Sequence, residues 1–258
     1  MSPKTVPSKE APPPRQAEGH YWQASRRPLQ SLLFLLPILL VYELGMWYYA
    51  SHASDGVARY IYARSLLRDF FKLFDITGYY LPGLLVVVVL LTQHFLQKDR
   101  KQLTLQPTMC MWMGAECLGL AFPLFMFAMV LSKAQLAMAL QAPGFAQVHW
   151  TEQLVHSLGA GIYEELLFRL IVIALLHMVL VDGLNLPEKP ANIVIILASA
   201  VLFALYHFSD NNPFDWNRCI FYTGAGVYFA GIYVIRGFGI VAGTHALYDV
   251  LVVLLKLA

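Results

Sequence analysis

The sequence predicts an all-α fold: a polytopic bundle of about seven transmembrane helices plus one interfacial amphipathic helix. Three observations carry this. The 258 residues are 58% hydrophobic and only 13% charged, too apolar for a soluble domain of this length. Apolar stretches of about the 20 residues that a spanning helix needs recur along the chain. One intervening stretch instead mixes arginines with Tyr, Leu and Phe at helical spacing. The same composition excludes nucleic acid as a partner, because a net charge of +2 is small and dispersed and no basic run is interleaved with aromatics.

Residues 1–27 read as a polar, disordered tail, with Pro12, Pro13 and Pro14 in series and too little apolar surface to offset ordering. No short apolar core with a small-residue cleavage site opens the chain, so the tail is expected to stay and the first span to act as the targeting signal. That span covers 29–49, with a kink expected at Pro37. Arg26 and Arg27 precede it, and Lys98, Arg100 and Lys101 follow the second span at 79–96. The positive-inside rule then places the N-terminus in the cytoplasm. Between these spans, 57–74 carries Arg59, Arg64, Arg68 and Lys72. It reads either as a helix lying in the interface or as one docked on the other spans. Further spans are expected at 109–131, 153–180, 193–208, 220–235 and 240–257. The stretch 153–180 is longer than the hydrocarbon requires and should tilt or project into an aqueous loop. Inspection finds no internal repeat of the inverted-repeat transporter kind. Cys110, Cys117 and Cys219 are odd in number and lie in apolar stretches, so they read as packing residues rather than a disulfide framework or a metal site.

The chemistry concentrates in the last spans. In Gly161-Ile162-Tyr163-Glu164-Glu165-Leu166-Leu167-Phe168-Arg169, two adjacent carboxylates and an arginine lie inside an apolar helix. Each charge at the bilayer centre costs about 2.5–3.5 kcal/mol, so this placement needs a compensating arrangement or a role. Glu165 and Arg169 are four apart and share a helix face, whereas Glu164 lies about 100° round from Glu165. Glu165 and Arg169 therefore read as a structural pair and Glu164 as a free general base. His207 ends the next span and, taken alone, reads more readily as a packing residue. His245 and Asp249, four apart on the last span, point at one small volume or satisfy each other locally. Three such groups in order on three spans, with few other intramembrane charges, argue against coincidence.

On these motifs the chain resembles the CAAX-protease and bacteriocin-processing family of intramembrane endopeptidases. That family carries a Glu-Glu doublet followed by Arg (here Glu164, Glu165 and Arg169), a Phe with His four later (Phe203, His207), and a His followed four later by Asn or Asp (His245, Asp249). The resemblance covers roughly 150–258, which divides the chain into the tail 1–27, an N-terminal transmembrane region 28–149 and a catalytic membrane domain 150–258. It implies that Glu164 with His207 activates a water for attack on a peptide carbonyl, that His245 with Asp249 stabilises the oxyanion, and that Glu165 and Arg169 are structural support. An Asn would donate to an oxyanion at any pH, whereas Asp249 must be protonated or act by orienting His245. No cofactor is favoured; zinc is the alternative, held by Glu164, His207, His245 and Asp249, although a His-Glu-x-x-His helix is absent. The expected partners are the lipid bilayer and a peptide or protein substrate entering from the membrane, and the expected location is a bacterial plasma membrane.

Two other functions remain open at this point. Intramembrane Glu, Arg, His and Asp also build proton relays, and Glu43 and Glu116 could join one, which would make the chain a proton-coupled transporter. A non-catalytic scaffold or immunity protein is the other. Depth counting at about 1.5 Å per residue puts Glu164 and His245 near mid-bilayer and His207 closer to one surface. The span that carries His207 is therefore expected to run past Phe208 or to dip, with the loop 209–213 folded over the site.

Overall fold

The computed structural model describes residues 21–52, 61–97, 107–131, 149–209 and 212–257. Its helices, in chain order, are α1 (Pro28–His52), α2 (Tyr62–Lys72), α3 (Leu81–Leu96), α4 (Pro107–Leu131), α5 (Trp150–Gly183), α6 (Glu188–Tyr206), α7 (Trp216–Arg236) and α8 (Phe238–Leu257). Six of these, α1 and α4 to α8, are long and apolar enough to cross a membrane. The remaining expected span, the second in chain order and here α3, is apolar but only 16 residues long, short of the roughly 20 that a straight crossing needs. The chain is a multi-pass integral membrane protein, and its outward-facing Leu40, Leu44, Trp47, Met111, Trp112 and Leu197 suit contact with lipid.

The core forms around α8, which packs on α5, α4, α7 and α1. Small residues let it sit there. A Cβ on Gly161 would lie 2.5 Å from the Ala242 carbonyl oxygen and 2.5 Å from the Ala246 nitrogen, so only glycine permits the α5–α8 crossing as it stands. Gly161→Ala is expected to force the two backbones apart and to destabilise the fold by about 1–3 kcal/mol. Thermal unfolding in detergent checks this, and an unchanged midpoint would show that the crossing is not tight.

Several expectations change on contact with the structure. The described part of the amphipathic stretch, 61–74, docks on the bundle: Ala63, Arg64 and Leu67 are buried while Phe70 and Phe74 face out. Residues 57–60 lie outside the described residues. Docking buries an arginine, and Glu43 on α1 compensates for it. Arg64 sits 3.0 Å from the Glu43 carboxylate, donates to the Tyr79 carbonyl at 2.8 Å, and lies over the Tyr79 ring. Burial works most strongly against the Arg64 charge, but the hydrogen bond to Glu43, the Glu43 charge and the nearby Tyr42 and Tyr163 together more than offset it and hold the guanidinium above its ordinary pKa.

The tail is also more structured than its composition suggests. Residues 1–20 lie outside the described residues, but 21–25 are helical. Tyr21 donates to Glu116 at 2.5 Å, and Arg236 pairs with Glu116 while stacking 3.8 Å from the Trp22 ring centre. Two aromatics and one ion pair tie this segment to α4 and α7.

The depth problem at His207 is solved by α5 and not by α6. Helix α6 stops at Tyr206, with His207 as its C-cap, and does not extend beyond Phe208. Helix α5 instead runs for 34 residues, longer than a straight crossing needs. Its arm 165–183 and the returning α6 match in length, which brings His207 level with Glu164. The loop after His207 is tied back, with the Asn212 amide donating to the His207 carbonyl at 2.5 Å and Ser209 bridged to Asn212. Residues 210–211 lie outside the described residues.

Candidate active site

Glu164 and Glu165 are the last residues of the α-helical part of α5, and a π-helical stretch, Leu166–Val172, begins directly after them. Widening of this kind often marks functional positions, because i→i+5 bonding displaces carbonyls from their usual partners. Here the Phe168 carbonyl accepts from the Ser199 hydroxyl of α6 at 3.0 Å, which ties α6 to α5 one turn from the doublet.

The two carboxylates have different surroundings, as their spacing from Arg169 predicts. One Glu165 oxygen lies 3.0 Å from Arg169 Nε, and both side chains are wholly buried. Arg169 also donates to the Gly226 carbonyl at 3.3 Å and lies 4.7 Å from the Phe203 ring centre. The other Glu165 oxygen accepts from His245 Nδ1 at 2.8 Å. Glu165 therefore also contacts the His245 ring, whose orientation was one of the two roles the sequence left open for Asp249. Glu164 faces a cavity of about 180 Å³, into which His207, His245 and Asp249 also project.

The imidazoles converge on one Glu164 oxygen. His207 Nε2 lies 3.7 Å and His245 Nε2 4.0 Å from Glu164 Oε2, which is buried and makes no hydrogen bond among the described residues. His207 Nδ1 donates to the Phe203 carbonyl at 2.8 Å, so a neutral His207 presents the lone pair of Nε2 to the cavity. Its ring stacks on Tyr222 at 4.2 Å, and the His245 ring stacks on Phe229 at 4.5 Å. Asp249 Oδ2 lies 3.5 Å from His245 Nε2. Thus Glu164, His207, His245 and Asp249 share one volume, with Glu165 and Arg169 immediately behind it.

Residues 146–251 match the model of a protein family described as Type II CAAX prenyl endopeptidase Rce1-like. That segment matches the CAAX-protease family. It contains the Glu164-Glu165-Arg169, Phe203-His207 and His245-Asp249 motifs, and hence the whole cluster around the cavity. No curated protein and no solved structure matches the chain.

Within the CAAX-protease segment, the sequence reading missed three aromatic groups. Tyr222 and Phe229 fix the two imidazole planes, and the Tyr206 hydroxyl donates to Glu164 Oε1 at 3.3 Å. The only signal in the sequence was their seven-residue spacing on α7, which marks one face of a helix without marking a site. Outside the segment, Glu43 is held by Arg64 and by the Tyr163 hydroxyl, and Glu116 by Arg236 and Tyr21. Among the described residues, no three His, Cys, Asp or Glu side chains are placed to hold one metal ion. The cysteines Cys110, Cys117 and Cys219 are free thiols away from the cavity.

Proposed function

We propose that the chain is a CAAX-protease-like intramembrane endopeptidase that hydrolyses a peptide bond with a glutamate-activated water. The observation that carries this is the Glu164 carboxylate: one oxygen is buried without a hydrogen-bond partner among the described residues, and two imidazole Nε2 atoms flank it at 3.7 and 4.0 Å. Those gaps are too wide for direct hydrogen bonds and leave Oε2 free to accept from a nucleophilic water. Glu164 takes the water proton as the oxygen attacks the peptide carbonyl carbon, with the His207 Nε2 lone pair helping to orient the water. With its Nδ1–H committed to Glu165, His245 as an imidazolium has one donor left, Nε2–H, for the developing oxyanion. Asp249 sits 3.5 Å from that nitrogen and acts through His245. Glu164 then returns its proton to the leaving amine as the C–N bond breaks, and no covalent enzyme intermediate forms.

The substrate is a peptide or protein segment entering from the membrane, because Leu124, Phe221, Val252 and Val253 give the cavity an apolar wall. The N-terminus is cytoplasmic, as Arg26 and Arg27 before α1 favour. The transporter reading loses its additional relay members, since Glu43 and Glu116 are both committed to ion pairs. Purified protein in detergent, assayed against a quenched peptide library with and without a chelator, tests the mechanism alongside Glu164→Gln. Cleavage that resists chelation and disappears in Glu164→Gln is expected. Loss on chelation would replace the metal-free route with a zinc one, and a folded wild type that cleaves nothing would sink the peptidase reading.

A further inference from the structure

Helix α2 lies outside the CAAX-protease segment, yet it reaches the site through one hydroxyl. Its N-cap, Ile61, offers no side-chain hydrogen bond to the first turn. One of the orphan donors there, the Ala63 N–H, is satisfied from another helix: it donates to the Tyr206 hydroxyl oxygen at 2.8 Å. A phenol has one proton to give. With Ala63 occupying its oxygen as a donor, the Tyr206 proton is directed at the other neighbour, Glu164 Oε1, 3.3 Å away. The ring is held by Tyr62 of α2, which stacks on it at 5.4 Å, and by an edge contact to Phe168 at 5.3 Å. Helix α2 is anchored in turn by the Arg64–Glu43 pair and by the Arg64 bond to the Tyr79 carbonyl.

We infer that Tyr206 is a positioning residue for the Glu164 base, and that α2 sets its hydroxyl. By tethering Oε1, Tyr206 fixes the carboxylate plane so that Oε2 is the oxygen facing His207 and His245. The N-terminal region thereby contributes to catalysis without entering the cavity, and Glu43 and Arg64 act as the anchor of that contact rather than as a proton relay. This inference rests on the reading of Glu164 as the base.

Tyr206→Phe keeps the ring and removes only the hydroxyl. It is expected to lower kcat roughly 10-fold, the size of a lost hydrogen bond to a charged group, with KM unchanged. Arg64→Lys approaches from the other end: it keeps the buried charge, loses the forked contacts, and touches nothing in the cavity. It should lower kcat several-fold at constant KM, and the double variant should be no slower than Tyr206→Phe alone, because both break one chain of contacts. Fully additive losses, a change confined to KM, or wild-type kcat in folded Tyr206→Phe would each overturn the inference. Glu164→Gln measured in parallel separates the two levels. If Glu164→Gln cleaves at the wild-type rate, the base assignment fails and the inference with it; if Glu164→Gln is inactive while Tyr206→Phe is fully active, only the inference fails.

Discussion

Glu164→Gln is expected to lower kcat by roughly 10²–10⁴-fold, the usual contribution of a positioned general base, while leaving the bundle folded. The substitution is nearly isosteric. Its amide oxygen can still accept the Tyr206 hydroxyl that Glu164 Oε1 accepts at 3.3 Å, so the side chain need not swing out of the cavity. What is lost is the ability to take a proton, because an amide is not a base at any accessible pH. Glu164 is buried and one of its oxygens has no hydrogen-bond partner among the described residues, so neutralising it removes a desolvation cost. The thermal midpoint in detergent should therefore stay level or rise as activity falls, the trade-off expected where a site is kept for function against stability. Steady-state kinetics and unfolding measured on the same preparation check both halves. A coupled fall in activity and midpoint would mean that Glu164 is a packing residue.

How much of this was legible in the sequence depends on how far apart the interacting residues lie. Glu165 with Arg169, and His245 with Asp249, are four apart on one helix, so their shared faces follow from helical geometry alone. Charge inside an apolar stretch is also conspicuous because its cost in the bilayer is high, which is why Glu164 could be picked out before any contact was known, whereas His207 stood out only within the set of motifs. Contacts across the chain are different. Ala63 meets Tyr206 across 143 residues and Glu116 meets Arg236 across 120, and no periodicity encodes either pairing. Tyr206 in particular reads as an ordinary apolar-span aromatic until Ala63 and Glu164 are seen on either side of its hydroxyl. The same limit explains α2, whose pattern of arginines and aromatics fits a lipid interface as well as a docked helix. The Glu43 carboxylate on α1 is what shows the docking. The π-helical stretch after Glu165 was not legible either, since the sequence carries no Pro or Gly there to signal a change of winding.

Arg169→Met is expected to be the most destabilising of these changes, costing about 3–5 kcal/mol, because it strips a wholly buried carboxylate of its counter-charge. Glu165 would keep only its bond from His245 Nδ1, and the arginine's contacts with the Gly226 carbonyl and the Phe203 ring would go as well. The magnitude reflects the partner left behind more than the worth of the pair. The double variant Glu165→Gln with Arg169→Met removes both charges and preserves most of the volume, so it should recover a large part of the lost stability. It should not recover activity. Without the Glu165 carboxylate, nothing charged fixes the Nδ1–H of His245, and the ring that would meet the oxyanion loses its orientation. Equilibrium unfolding of the two single variants and the double variant in mixed detergent micelles, paired with the cleavage assay, separates these effects. A double variant as unstable as Arg169→Met alone would show that Arg169 acts through packing against Phe203 and Phe229 and not through its charge. A stable and fully active one would remove Glu165 from the orientation of His245.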